Sequence, residues 1–358
     1  MKFSTVVSKL RGVLQVAERA SSNTNMSGVA LVAYTGVLIQ ATKNRLVVLG
    51  SDSATTIAAS IDVDTDRTGS VLVPPKPLLS FLAAANPDAA VELVYEEGND
   101  LLVTVAGLAP YSFRPLATTF PVKIPSRKGA TQVDFSRFDQ ALTAVKPGAS
   151  GGGIQLVSTG TSLALHATDT FRLHSATLPE AGFGDFTGVF TPEVLAVVAQ
   201  HPITHVAADV STRTLRFIGE SIIISTRLLA TPYPNVETIL TAEFPLKVDI
   251  PVTQTREALG RLASIAAERA VVLNVEGNRL SVSATSPDHG SGSEHIELSQ
   301  PYNDLMVALA PKRLNEALVA HQSDTVTLGY VGQLQPVAFS SNNRFPILTV
   351  VSPVQTTT

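Results

Sequence analysis

The chain contains no cysteine, which excludes a disulfide framework, a thiolate metal site and a cysteine nucleophile. Charge is sparse as well. Only 16% of the residues are Asp, Glu, Lys or Arg, and the net charge of −4 excludes a protein that coats nucleic acid by bulk charge, though not one with a locally basic surface. No apolar run approaches the ~18 residues of a membrane-spanning helix. What is present is apolar material for cores: 44% of 358 residues are hydrophobic, which excludes a disordered chain and suits two or three domains. The opening Met1–Gly12 alternates polar and apolar residues without a continuous apolar stretch, so it reads as the first strand and helix of a cytosolic domain rather than a signal peptide.

The chain repeats itself with a long period. Arg45–Asp52, Ser162–Asp169 and Arg279–Ser286 each alternate along a strand and end in a small residue, a hydroxyl, then Asp or Ser; their leucines Leu46, Leu163 and Leu280 are 117 residues apart. Such an ending suits a sharp turn, because those side chains bond nearby backbone. Short helix starts follow in step at Pro74–Pro77, Thr191–Glu193 and Ala310–Lys312, with first core leucines Leu78, Leu195 and Leu314. A third pattern, R-x-L-A-T-x-aromatic-P, closes the first two units as Arg114–Pro121 and Arg227–Pro234. Three features in phase define three homologous domains. Each begins with a strand and a helix, continues with strands, and ends with a shorter helix and three more strands. The helices are expected over about 5–21, 75–86, 136–145, 192–201, 253–268 and 311–322, with linkers over about 122–130 and 241–245.

With their flanks, these helical segments hold eleven basic and six acidic residues, so they carry +5 while the rest of the chain carries −9. On the first helix, the face opposite Leu10 and Ala17 holds Ser8, Arg11, Gln15 and Arg19; Lys76 and Lys312 take equivalent outward positions, while Glu193 breaks the pattern. Basic helix faces on an acidic protein suit loose contact with a polyanion. Lys and Arg are common on any solvated helix, so the excess alone does not decide between the two readings.

Motifs for chemistry are scarce. Gly148–Gly153 lacks the Gly-Lys-Ser/Thr ending of a phosphate loop and leads into a strand rather than a helix. Asp62–Asp66 opens like a calcium loop, but Arg67 stands where glycine is needed and Val73 where glutamate is, so it reads as a turn. The seven histidines (166, 174, 201, 205, 289, 295 and 321) show no paired ligand spacing, and Asp288–Ser291 lacks the strand–elbow–helix setting of a serine hydrolase. No catalytic constellation, metal site or cofactor site emerges.

At this point the residues resemble the bacterial DNA polymerase III beta sliding clamp family. Met1-Lys2-Phe3 and Tyr34–Gln40 followed by Leu46–Asp52 are similar to the family's first-domain strands. Ala167–Leu173 resembles the signature A-T-D-x-[HF]-R-L, Ser225–Pro234 the S/T-[KR]-L…[FY]-P segment, and Val350–Val354 the V-x-M-P-[MV] ending; the likeness runs in order through the whole chain. It implies an α+β chain of three similar clamp domains, 1–123, 124–245 and 246–358, two copies of which close head to tail into a six-domain ring. The implied function is a non-enzymatic, cytoplasmic processivity factor that encircles double-stranded DNA without regard to sequence. The implied DNA-facing residues are Arg11, Arg19, Lys76, Arg137, Lys146, Arg261, Lys312 and Arg313. A groove for short linear motifs of the replicative polymerase and the clamp loader would use Thr168, Thr170, Phe171, Arg172, Leu173, Pro234, Ile239, Val350, Ser352, Pro353 and Val354. The dimer contact would bring Tyr111 and Phe113 of one chain to Leu262 and Ile265 of the other.

The sequence also departs from the family's pattern. Thr238 stands where a basic residue is common, Ser352 where Met is, and Gly151 where a bulky apolar residue is; Gln355–Thr358 extends the end, and Ser21–Ser27 lacks a DNA-touching basic residue. These differences suit a divergent or phage-encoded member with its own groove peptide. The alternative from another class is a three-domain β-rich hydrolase or carbohydrate-active enzyme, which would need two carboxylates facing a cleft.

Overall fold

A computed structural model describes residues 1–21, 32–150, 152–266, 270–342 and 344–355. Ser22–Ser27, Gly151, Arg269 and Thr356–Thr358, singled out in the sequence, lie outside the described residues. No helix of the described residues is long and apolar enough to cross a membrane.

Seven α-helices are described: α1 (Val7–Glu18), α2 (Pro75–Ala84), α3 (Phe138–Val145), α4 (Pro192–Ala199), α5 (Glu237–Leu240), α6 (Val252–Ala266) and α7 (Pro311–Ala320). Six are the expected ones, one to three residues shorter at most of their ends. The single turn of α5 is too short to leave a periodic pattern. Proline stands in the first turn of α2 and α7, where its missing N–H costs nothing. The apolar stripe of α1, Val7, Leu10, Val13, Leu14 and Ala17, is buried.

The repeat has a structural meaning. All six repeat leucines (Leu46, Leu78, Leu163, Leu195, Leu280 and Leu314) are 0% exposed, and each such burial contributes about 2 kcal/mol. The polar endings make the turns. Asp52 Oδ1 accepts from the backbone N–H groups of Ala54 and Thr55 at 2.9 and 2.6 Å, and Asp169 Oδ1 from those of Phe171 and Arg172, both at 3.1 Å. Between them Ser53 and Thr170 take left-handed backbone at φ 78° and 74°. The third unit departs from the expected series of short strands. Val271–Ser286 and Gly290–Leu309 form one long hairpin, and Gly290 supplies the positive φ of its turn.

Strand pairing divides the chain into two compact units, Met1–Val133 with Gln200–Leu228, and Asp134–Ala199 with Leu229–Thr358. The division runs through the second repeat instead of along the repeat boundaries. In the first unit, Thr55–Asp62 pairs antiparallel with Ile222–Arg227, Ala59 opposite Ile222 and Thr55 opposite Thr226, which joins four strands of each repeat into one eight-stranded sheet. In the second, Arg172–Pro179 pairs with Ile347–Val351, Arg172 opposite Val351 and Ala176 opposite Ile347, building a second eight-stranded sheet. Each junction therefore uses the strand after the polar turn of one repeat and the last strand of the next.

A buried polar seam backs the second junction. His174 is fully buried, and its Nδ1 donates to the Ala144 carbonyl at 3.0 Å, while its Nε2 has no partner among the described residues. His321 bridges Ser341 Oγ (2.8 Å) and Thr349 Oγ1 (3.2 Å), and His166 Nδ1 meets Ser175 Oγ at 3.1 Å. Burial pulls all three imidazoles from their ordinary range down to about 4. Unfolded, they ionise near 6.5, so the unfolded chain binds more protons between those limits, and the stabilisation is lost as pH falls from about 6.5 toward 4. Thermal melts should therefore drop by several degrees between pH 7.5 and pH 5, and His321→Gln should flatten that slope; an unchanged slope in the variant would show that the seam does not carry the effect.

Candidate functional site

In the second unit, the polar turn after Ser162–Thr168 projects Phe171 into solvent at 53% exposure while the next residues run back into the sheet. Thr168 Oγ1 donates to the Arg172 carbonyl at 2.7 Å, and the Ser352 N–H donates to the Phe171 carbonyl at 2.9 Å. The final segment then bonds Val354 N–H to the carbonyl of Ala308, two residues before Ala310 at the start of α7. Leu173 and Val350 are buried in a small apolar cluster with Val236 and Ala338, against which Tyr233, Leu240, Phe244 and Leu348 pack. Pro234 and Ile239 are exposed beside it, Ile239 at 40%; Thr170 is exposed, and Ser352, Pro353 and Val354 are half-buried. Of the eleven residues expected in a groove, Leu173 and Val350 belong to this apolar cluster, and the others lie on the turn and the chain segments next to those that form it. A cavity of about 490 Å³ adjoins it, lined by Phe244, Ala338 and Leu348 among others.

Charge at the groove is arranged by Arg172. Its side chain is 8% exposed; Nε donates to Asp169 Oδ2 at 2.9 Å and Nη1 to Glu316 on α7. Two carboxylates therefore satisfy one buried guanidinium. Sequence reasoning missed Glu316, Tyr233 and Phe244. For Tyr233 the signal was present, since the R-x-L-A-T-x-aromatic-P repeat aligns it with Phe120, which is buried in the corresponding apolar cluster of the first unit. The Tyr233 hydroxyl donates to the His166 carbonyl at 2.8 Å, and burial raises its pKa.

The expected DNA-facing residues do not share one environment. Arg19, Lys76, Lys146 and Lys312 are exposed on or beside α1, α2, α3 and α7, Arg19 donating to Gln200 Oε1. Arg137 is exposed at the start of α3 and donates to the Arg344 carbonyl, while Arg11 is half-buried on α1. Two have partners within the chain: Arg261, its side chain still exposed, takes Glu294 through two bonds at 2.6 and 2.5 Å, and Arg313 lies over the Phe171 ring, 4.4 Å from its centroid.

Tyr111 and Phe113 sit on an edge strand of the first unit, Tyr111 51% exposed with its ring 4.4 Å from that of Phe81. The expected partner Leu262 is 3% exposed in the core of the second unit. Ile265 is half-buried beside it, and both lie under Gly292, where a Cβ would stand 2.9 Å from Leu262 Cδ2 and 3.0 Å from Ile265 Cδ1. Among the described residues no group of three His, Asp or Glu stands together to hold a metal.

Repeated strand–helix units joined strand to strand, with an apolar groove at a junction, define the sliding-clamp fold. A sliding clamp from Pseudomonas aeruginosa matches with a TM-score of 0.89 at 16% identity, over 99% of this chain and 100% of that one. The beta subunit from Streptococcus pyogenes matches at 0.88 and 21% identity over the same shares. In sequence, the DNA polymerase III beta subunit N-terminal domain matches residues 1–121 and the C-terminal domain residues 237–355. The beta sliding clamp of Lactococcus lactis is 23% identical over 99% of this chain and 100% of its own length, and that of Synechococcus elongatus 24% over 87% and 88%. The chain belongs to the DNA polymerase III beta subunit family. The hydrolase reading has no support in these comparisons.

Removing Arg172 should leave two carboxylates facing each other in a half-dry site. Arg172→Met is expected to cost about 3 kcal/mol in urea unfolding, and Glu316→Gln less, because Asp169 remains. Equal losses would mean that the guanidinium does not organise the pair.

Proposed function

We propose that two copies of this chain close head to tail into a ring that encircles duplex DNA and carries a DNA polymerase and its loader by short peptides seated in the groove. The chain is a processivity factor of the sliding-clamp family, acting in the cytoplasm by enclosing its substrate rather than by transforming it. Its three domains, bounded near residues 123 and 245, would supply six to the ring.

The strand-pairing rule carries the dimer reading. The strand after the polar turn pairs with the last strand of the next repeat twice within the chain. Among the described residues, the same two strands have no such partner at the ends of the series: the start of Gly290–Leu309 in the third repeat, and Tyr111–Phe113 in the first. Extending the register of the internal junctions sets Phe113 opposite Gly290 and Tyr111 opposite Gly292 of the other chain. Tyr111 then covers the gap over Leu262 and Ile265 that the missing side chain of Gly292 leaves. A heterologous contact of this kind closes as a ring or runs on as a fibre, and closure covers both open edges.

Inside such a ring the helices bring Arg11, Arg19, Lys76, Arg137, Lys146 and Lys312 toward phosphates. Contacts of this sort are sequence-blind and individually weak, so the protein can slide. The grip is topological.

Light scattering should give twice the 37.7 kDa chain mass at micromolar concentration, and Tyr111→Glu should shift it to monomer. Once loaded, the protein should stay on closed circular DNA and leave when the circle is cut. A wild-type monomer, or no retention on circles after loading, would sink the proposal.

A further inference from the structure

The two internal joints differ in one buried cross-strand pair. At the first, Ile57 stands opposite Ile224. At the second, His174 stands opposite Thr349. Ile57 and His174 each lie five positions after the aspartate of the polar turn, Asp52 or Asp169, and all four paired residues are buried. A second imidazole reaches the same place. His321, after α7, meets Thr349 Oγ1 with Nε2 at 3.2 Å and Ser341 Oγ with Nδ1 at 2.8 Å. The partners of the two rings are thus hydroxyls and the Ala144 carbonyl of α3, which takes the His174 Nδ1 proton. A further proton on His174 must go to Nε2, which has no acceptor among the described residues. The neighbouring charges oppose it as well. Arg172 acts on His174 with like sign, and Arg344 lines a small cavity beside His321 with Gln140, Gln322 and Ser341. Asp169 acts with opposite sign but is bound by Arg172, as is Glu316 of α7. Among the described residues no carboxylate hydrogen-bonds either ring.

We infer that the joint between Arg172–Pro179 and Ile347–Val351 is an acid-sensitive latch: protonation of His174 and His321 parts these two strands while the first joint holds. In the closed joint a charged imidazole is dry, lacks a counter-ion and faces a second ring that would carry the same charge. Once the strands part, water receives it. Burial holds both rings below their ordinary range, at about 4, whereas a solvated imidazole ionises near about 6.5. Opening therefore takes up protons and is favoured as pH falls below about 6.5. The first joint has no such group. Beside Ile57 and Ile224 it pairs the hydroxyls of Thr55 and Thr226 at 3.0 Å, and neither isoleucine nor threonine titrates. Ile347–Val351 also carries Val350 into the apolar cluster with Leu173 and leads to Ser352, whose N–H holds the Phe171 carbonyl. An open latch takes that surface apart. This consequence rests on the groove reading above; the opening itself does not.

The test is hydrogen exchange of the full-length chain, read by mass spectrometry at pH 7.5 and pH 5, with each rate normalised to that of an unstructured peptide at the same pH. Fragments covering 172–176 and 347–351 should exchange about tenfold faster at pH 5. Fragments covering 55–62 and 222–227 should change by less than about twofold, which separates a local opening from unfolding of the whole chain. The double variant His174→Ile with Thr349→Ile installs the pair found at the first joint, and should bring the rise at the second joint below about threefold. His321→Gln, which keeps a side chain able to bond hydroxyls, should lower the rise as well and decides the matter if circular dichroism shows the double variant unfolded. Equal loss of protection at both joints in the wild type, or no loss at either, overturns the latch. So does a rise at the second joint that is unchanged in the folded variants. Loss of binding by a groove peptide at pH 5 without faster exchange at 347–351 would also count against it, whereas faster exchange with no peptide bound at either pH would leave the latch standing and the groove reading failed.

Discussion

Backbone hydrogen bonding between the strand that follows a polar turn and the last strand of another repeat is the constraint on which the remaining architecture depends. It makes two eight-stranded sheets out of half-sheets that end at repeat boundaries, and it assigns the two halves of the second repeat to different compact units. Such a joint is built from N–H and C=O groups that every residue but proline carries. It therefore tolerates wide change of side chains, which fits the survival of the fold at 16–24% identity to its relatives. The positive φ of Ser53 and Thr170, held by Asp52 and Asp169, sets where each joining strand begins.

The two internal joints carry the same apolar plug and differ in how open they are. In the first unit Phe120 fills the cluster over Leu49, Ala58, Ile218 and Ile223 and is 9% exposed. Arginines then fasten the surrounding backbone: Arg127 donates to the carbonyls of Gly219 and Glu220, Arg45 to that of Glu220, and Arg216 to those of Ser126 and Lys128. In the second unit Tyr233 takes the place of Phe120 and spends its hydroxyl on the His166 carbonyl, and apolar surface at Phe171 and Ile239 stays in solvent. Exposed apolar residues around a defined floor mark an interaction surface. The second joint is thus the one of the two that leaves apolar surface at Phe171 and Ile239 uncovered.

Much of this was legible in the sequence because it is periodic. The six leucines, the polar turn endings and the prolines of α2 and α7 are local signals repeated in phase, and the structure gives each the role its chemistry suggests. The fates of single side chains were not legible, because they depend on what a distant strand or helix brings near. The sequence places Arg261 and Arg313 on outward helix faces. Glu294, 33 positions from Arg261, and Phe171, far earlier in the chain than Arg313, decide what each does there. The motif A-T-D-T-F-R-L marked the polar turn but concealed its electrostatics, since nothing in it says that Arg172 is claimed by Glu316 of α7.

These reassignments bear on how an acidic chain can hold a polyanion. Of the eight cations expected to face DNA, Arg261 is paired with Glu294 and Arg313 lies over the Phe171 ring. The remaining six, on α1, α2, α3 and α7 and their flanks, are a small number of cations for holding a polyanion. In an open clamp that would be a defect, because affinity falls steeply with salt when phosphate contacts are few and exposed. In a closed ring it is not, because residence is set by the lifetime of the strand joint between chains, and the phosphate contacts need only bias the DNA toward the helices. Weak contacts also keep the barrier to each step along the duplex low. In the ring proposed for this chain, sparse charge would therefore suit a division of labour in which backbone pairing between chains retains the DNA and side chains guide it.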